Sequence, residues 1–274
     1  MPYANVNDVN LYYECHGKGA PLMLIAGLAS DSQSWGPVID ELSQHYLVIV
    51  LDNRGVGRTT PQDGGTSIQH MANDCMALLD YLELPDASLL GHSMGGFVAL
   101  DCTIRYPARV SKLILAGTSA LNSDRNNSLF QDWVADLKTG MDAATWFRNI
   151  FYSIFSDRFF ENKETVTEAI RFAVEYPYPQ GVTAFEQQVD AIAAFNCLDQ
   201  LPNITQETMV ICGKQDLLFP SEESSNVFQV IPHVSIKVLD DAAHSIHMEV
   251  PGAFLAHVVN FLSAEDVPPR QDVG

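Results

Sequence analysis

Positive charge is scarce in this chain. Its 274 residues carry 15 Lys and Arg against 34 Asp and Glu, a formal net charge of −19, and no basic cluster interrupts the acidic background. Such a surface cannot neutralise a run of phosphates, which argues against nucleic acid and anionic membranes as partners. Oriented dipoles inside a pocket can outweigh a distant surface field, so an anionic substrate remains compatible with this charge. Long apolar runs are also missing. None approaches the ~18 residues of a membrane span, and Met1-Pro2-Tyr3-Ala4-Asn5 carries no basic patch followed by an apolar stretch. The expectation is a cytoplasmic chain. Five cysteines lie without any C-x-x-C pair, three of them within apolar runs, so reduced structural thiols are expected rather than a disulfide framework or a redox centre. No Cys/His/Asp cluster has zinc spacing, and neither a dinucleotide-binding nor a phosphate-cradling glycine loop occurs. Neither a metal nor a cofactor is expected.

What is present fits a globular enzyme: 47% apolar and 18% charged residues, in a length that α/β architectures reach around one core. Alternation at Val9, Leu11 and Tyr13 before Gly17-Lys18-Gly19 reads as antiparallel strands feeding a hairpin turn. Apolar runs then recur at Leu22–Ala26, Tyr46–Leu51, Ala87–Leu90, Val110–Leu115, Met209–Cys212 and Val234–Leu239. Between them, Ile68, Met71, Cys75, Leu78, Leu79 and Leu82 follow the three-and-four spacing of one helix face, and Gly95 to Tyr106 is also helical in pattern. Alternating strands and helices imply a mostly parallel sheet covered on both faces.

One stretch breaks this rhythm. From 121 to 195 the pattern is helical throughout and holds 14 of the chain's 26 aromatic residues. Residues 1–120 and 196–264 are therefore expected to form the core, 121–195 a helical cap over the carboxyl edge of the sheet, where open α/β folds place ligands, and 265–274 a flexible tail. The cap aromatics Trp146 and Phe151, with Trp35 from the core, are candidate substrate contacts; packing within the cap is the competing reading for its two.

The sharpest local signal is Gly91-His92-Ser93-Met94-Gly95-Gly96, a G-x-S-x-G pattern between an apolar strand and a helical segment. A serine on so tight a turn has no room for side chains at its flanks, and the helix that follows points free N–H groups at any developing oxyanion. A serine hydroxyl needs a base, and the base needs a group to fix its tautomer. His244 follows the Val234–Leu239 run through a short loop and is the candidate base. His247, one turn later, is expected to face solvent or the helix surface. Asp216, just beyond Met209–Cys212, is the candidate acid, while Asp240 and Asp241 read as a solvated loop.

The chain order Ser93, Asp216, His244 and the landmarks around it resemble the α/β-hydrolase superfamily over nearly the whole length. Leu24-Ile25-Ala26-Gly27-Leu28 resembles its first oxyanion loop, Asp52-Asn53-Arg54-Gly55 its D-x-R-G turn, and His244 with Glu249-Val250-Pro251 its closing segment. The resemblance implies an α/β-hydrolase fold, Ser93, Asp216 and His244 as the catalytic triad, and the backbone amides of Leu28 and Met94 as the oxyanion hole. Relatives usually read His-Gly where this chain has Ala26-Gly27. Perhydrolase-like relatives often carry proline where it has Ala29, which favours an esterase or lactonase. The expected substrate is a small carboxylic ester or lactone with an apolar part. An enol lactone, a carbon–carbon bond beside a ketone, or peroxide remain alternatives with the same triad, as does a slow-turnover ligand sensor. The sequence is silent on oligomeric state.

Overall fold

The structure, a computed structural model, describes residues 3–264; the expected tail at 265–274 lies outside them. Eight strands form one sheet in the order β1-β2-β4-β3-β5-β6-β7-β8. They are β1 (Tyr3–Val6), β2 (Val9–His16), β3 (Ala20–Ile25), β4 (Tyr46–Leu51), β5 (Ala87–His92), β6 (Val110–Ala116), β7 (Glu207–Gly213) and β8 (Val234–Leu239). From β3 onward every pairing is parallel, while β2 runs antiparallel to both β1 and β4.

The hairpin is not where the glycines suggest. Val6 pairs with Val9 across Asn7-Asp8, with Asn7 in a left-handed conformation at φ 47°. Gly17–Gly19 instead carries the chain past β4, which lies between β2 and β3. A Cβ on Gly17 would sit 2.1 Å from the Ser43 carbonyl oxygen, so close backbone passage explains that glycine.

Period-two alternation splits the strand residues between two cores. Met23, Ile25, Ile49, Leu89, Leu113, Leu115 and Val210 pack on one face with α2 (Ile68–Tyr81) and α3 (Met94–Arg105). Leu22, Leu24, Val48, Leu90, Ile114 and Met209 pack on the other. There α1 (Gly36–Leu42), α10 (Ile246–Glu249) and α11 (Pro251–Ser263) cover them. Helix α9 (Ser221–Phe228) links β7 to β8 and adds Phe228 to the first face.

Five helices are inserted between β6 and β7: α4 (Asp124–Lys138), α5 (Ala143–Ile154), α6 (Asp157–Glu161), α7 (Lys163–Val174) and α8 (Val182–Ala193). The inserted segment leaves and returns through one neck, where Leu121 bridges Asn196 and the Cys197 amide donates to the Ala120 carbonyl at 3.0 Å. No helix among the described residues is long and apolar enough to cross a membrane.

Candidate active site

Ser93 joins β5 directly to α3 with φ 54° and ψ −122°, a backbone conformation costly for any residue with a Cβ. Its surroundings force the shape. A Cβ on Gly91 would lie 2.2 Å from the Gly95 carbonyl oxygen, and one on Gly95 would lie 2.0 Å from that of Ile25. Thr118, just past β6, donates its hydroxyl to the Ser93 carbonyl at 2.8 Å. Nothing in the local motif announces Thr118. The Ser93 hydroxyl has no hydrogen-bond partner among the described residues.

Asp216 and His244 follow the ends of β7 and β8, two and three strands from the elbow. His244 Nδ1 lies 3.0 Å from Asp216 Oδ2, and both residues are buried. The carboxylate accepts, so Nδ1 carries a proton. Asp216 Oδ1 accepts from the amides of Leu218 and Phe219 at 2.8 and 2.9 Å, which fixes the plane of the carboxylate.

A second histidine supports this pair. His92 Nε2 sits 2.8 Å from the His244 carbonyl oxygen, and since a carbonyl only accepts, that nitrogen must be protonated. Burial, with His247 and His244 nearby, holds the His92 imidazole well below the usual range and keeps it neutral. His92 lies within the serine motif, yet its reach to a residue 152 positions later has no local signature.

His247 is not a surface residue. It is 1% exposed, its ring lies 4.5 Å from that of Trp35 and 4.7 Å from that of His92, and burial pushes its pKa down to about 3. The short α10 turns its face inward against α1 and α11. Asp240 is at the surface, 2.8 Å from Lys214 Nζ. Arg54 is bound by Asp74 at 2.8 Å and Asp8 at 2.7 Å, which makes it a brace for the turn rather than a free cation.

The loop after β3 presses on the elbow, because β3 and β5 are neighbours with Ile25 opposite Gly91. A Cβ on Gly27 would lie 3.0 Å from Ser93 Cβ. Leu28 is half-buried at this loop, and its N–H has no acceptor among the described residues. Met94 opens α3, where helix geometry leaves N–H groups free. A smaller cavity of about 140 Å³ lies beside the acid loop, lined by Ser119, Leu121, Leu218, Phe219 and Val227. The Phe219 ring is 5.8 Å from that of His244. A larger cleft of about 410 Å³, bordered by Pro21, Tyr46, Ser88 and Lys112, lies at the opposite ends of the strands and away from this chemistry.

The aromatic candidates fall elsewhere. Trp35 is fully buried in the core under α1 and α11 and offers no surface to a ligand. Phe151 packs with Val166 and Ile170 in a cluster internal to the cap. Trp146 donates its indole N–H to the Trp133 carbonyl at 3.0 Å and packs on Phe185. An aromatic-rich helical insertion must bury its own faces first, which explains these placements.

Known proteins carry the same frame. A profile of the α/β-hydrolase fold matches residues 20–251. A protein of Azorhizobium caulinodans provisionally named carbamate hydrolase RutD is 28% identical over 97% of this chain and all of its own length. The 2-hydroxy-6-oxo-2,4-heptadienoate hydrolase of Pseudomonas putida is 27% identical over 96% of this chain and 93% of its own. Among solved structures, the enol-lactonase from Burkholderia xenovorans superposes with a TM-score of 0.87 at 25% identity, covering 96% of this chain and all of that one. With a serine on a strained strand-to-helix turn after β5, a histidine–carboxylate pair past the ends of β7 and β8 and a helical insertion before β7, this chain belongs to the α/β-hydrolase fold family and is a hydrolase.

Proposed function

We propose that this protein is a serine hydrolase that cleaves a carboxylic ester or lactone through an acyl-enzyme at Ser93. The observation that carries the reading is Ser93 held at φ 54° on the elbow, with the His244–Asp216 pair at the same edge of the sheet. Ser93 Oγ attacks the carbonyl carbon and its proton passes to His244 Nε2, while Asp216 stabilises the imidazolium through Nδ1–H. The amides of Leu28 and Met94 take the oxyanion, each such donor contributing about 10²–10³ in rate in comparable sites. Collapse breaks the bond to the leaving oxygen, which takes the proton from His244. Water then attacks the acyl carbon, losing its proton to His244, and the acid departs as Ser93 is restored.

The relatives are named for different substrates, and one of the similar structures is an enol-lactonase, which supports the lactone side of this reading. The test is hydrolysis of 4-nitrophenyl esters from acetate to octanoate, alongside labelling by a fluorophosphonate. Wild type should turn over and take one phosphonyl group on Ser93, and Ser93→Ala should lose both, with at least ~10³-fold loss of kcat/KM. Equal activity in the two proteins, or a label on another residue, would overturn the assignment. An apolar acyl pocket predicts kcat/KM rising from acetate toward medium chains; a flat series would reject that pocket.

A further inference from the structure

The loop that offers the Leu28 amide has little to hold it from within. Ala26 and Gly27 bring no polar side chain, and the loop turns on a Gly27 carbonyl to Ser30 amide bond of 3.3 Å. Asn53 anchors its start by donating to the Ala26 carbonyl at 3.0 Å. At the tip, Ala29 has φ 57°, a left-handed conformation that a residue with a Cβ keeps only when its neighbours over-determine it. In a turn of this kind, the orientation of the Leu28–Ala29 peptide distinguishes two alternative shapes. The Ser30 hydroxyl donates weakly to the Leu28 carbonyl at 3.4 Å, and the partner of the Ala29 amide holds the N–H end of the same peptide.

That partner comes from the cap. Gln188, on α8 and fully buried, accepts from the Ala29 amide, 159 residues earlier in the chain, through Oε1 at 3.3 Å. Its Nε2 donates to the Arg54 carbonyl at 3.0 Å, and Gln180 donates to the same Oε1 at 3.0 Å. One amide side chain thus spans the tip of the loop after β3 and the turn after β4. Gln180 extends the seam by donating to the Gly55 carbonyl at 2.7 Å. Core packing does not explain a fully buried glutamine here, because an aliphatic residue would fill the space without needing three partners.

We propose that Gln188 is a positioning residue for the oxyanion hole: by fixing the Ala29 amide it pins the Leu28–Ala29 peptide and with it the position of Leu28, whose own N–H, on the adjoining Gly27–Leu28 peptide, faces the reacting carbonyl. Helix α8 is then part of the machinery that stabilises the transition state, although it touches no reacting atom. This rests on the assignment of Ser93 and the Leu28 amide above. The contribution acts after substrate binds, so it falls on kcat rather than KM.

The experiment compares Gln188→Met, which keeps the side-chain length and removes both hydrogen-bonding functions, with Gln62→Ala. Gln62 joins cap to core elsewhere, through the Gly181 amide and the Gly57 carbonyl at 3.1 and 3.0 Å. Each folded variant is measured for kcat and KM on the best ester, and for affinity toward an alkyl trifluoromethyl ketone, whose tetrahedral adduct places an oxyanion in the hole. Gln188→Met should lose about 10- to 100-fold in kcat and in ketone affinity together, with KM within about twofold. Gln62→Ala should leave both unchanged. Wild-type kcat and ketone affinity in Gln188→Met would overturn the proposal, as would a matching loss in Gln62→Ala, which would signify general loosening of the cap. If Gln188→Met does not fold, Gln188→Glu supplies the second variant. Its carboxylate keeps an acceptor for Ala29 and should retain most ketone affinity; a loss of ketone affinity in folded Gln188→Glu comparable to removal of an oxyanion donor would count against the proposal. An active Ser93→Ala would instead remove the reading beneath it, so the two failures are distinct.

Discussion

The core and the cap solve the same burial problem differently. Helix α3 buries nine of its twelve residues against the sheet, whereas α5 and α7 bury two of twelve each. The core holds Ser93, Asp216 and His244, and in the proposed mechanism their positions matter to fractions of an ångström. The inserted helices meet the core through apolar residues that share its main cluster, among them Phe130, Trp146 and Phe185, through a small separate cluster around Phe151, and through a polar seam. Ser156 donates to Glu249 through its amide at 2.8 Å, the Ser245 amide donates to the Ile154 carbonyl at 3.0 Å, Tyr176 donates to Asp31, and Asn126 donates to the Leu218 carbonyl at 2.6 Å. The difference teaches that α3 is held by burial on nearly every side, whereas α5 and α7 bury a narrow face and the insertion adds side-chain hydrogen bonds to the core.

The largest expected effect lies in the core. Gly95→Ala would drive a Cβ into the Ile25 carbonyl, and we expect at least ~3 kcal/mol of lost stability, a Tm fall of roughly 6–12 °C. Gly252→Ala, with no atom within 4 Å of the added carbon, should stay within about 1 kcal/mol of wild type on the stabilising side. Thermal unfolding of both variants decides this, and similar Tm values would refute the account of the elbow.

A second pair sets the layers against each other. Phe97→Ala in α3 and Phe151→Ala in α5 each remove a buried ring, a change that costs ~3–5 kcal/mol in a well-packed site. Phe97 belongs to the main core and Phe151 to the separate cap cluster. Hydrogen exchange should therefore show loss of protection through β5 and β6 for the first, and loss confined to α5–α7 for the second. Equal loss in the strands would mean that cap and core unfold as one unit.

The smallest effect is a slope. Burial holds His247 at about 3 and His92 well below the ordinary imidazole range, so both take up protons more readily when unfolded. Their contribution is full above about pH 6.5 and is lost as pH falls toward the depressed folded values, at about 1.4 kcal/mol per pH unit for each histidine. His247→Phe keeps the ring beside Trp35 and should flatten the stability profile between pH 6.5 and 5 by one proton. An unchanged slope would mean that His247 is charged in the folded protein.

The parallel sheet was legible because buried strands leave continuous apolar runs, and the ends of those runs placed Ser93, Asp216 and His244 past the carboxyl ends of β5, β7 and β8. The glycines at 17 and 19 misled because a turn signal specifies a bend and not which strand lies alongside; the insertion of β4 beside β2 is a long-range choice. His247 misled for a related reason, since a four-residue helix carries too little periodicity to tell which face turns inward. Aromatic richness in the cap said that rings would be buried, but whether they meet a ligand or one another depends on helix packing. Gln188, Thr118 and the His92–His244 contact were invisible because each joins a side chain to a main-chain atom far along the sequence, where no residue pattern is required of the partner.

The backbone at Ser93 has a consequence for how such a protein can change. Its φ and ψ suit glycine, which would occupy them without steric cost, while any other residue carries strain of order 1–3 kcal/mol. Replacing the hydroxyl-bearing residue by glycine would thus ease the fold at the very point where the chemistry is lost. With Ser93 as the proposed nucleophile, stability and activity therefore pull in opposite directions at this one position.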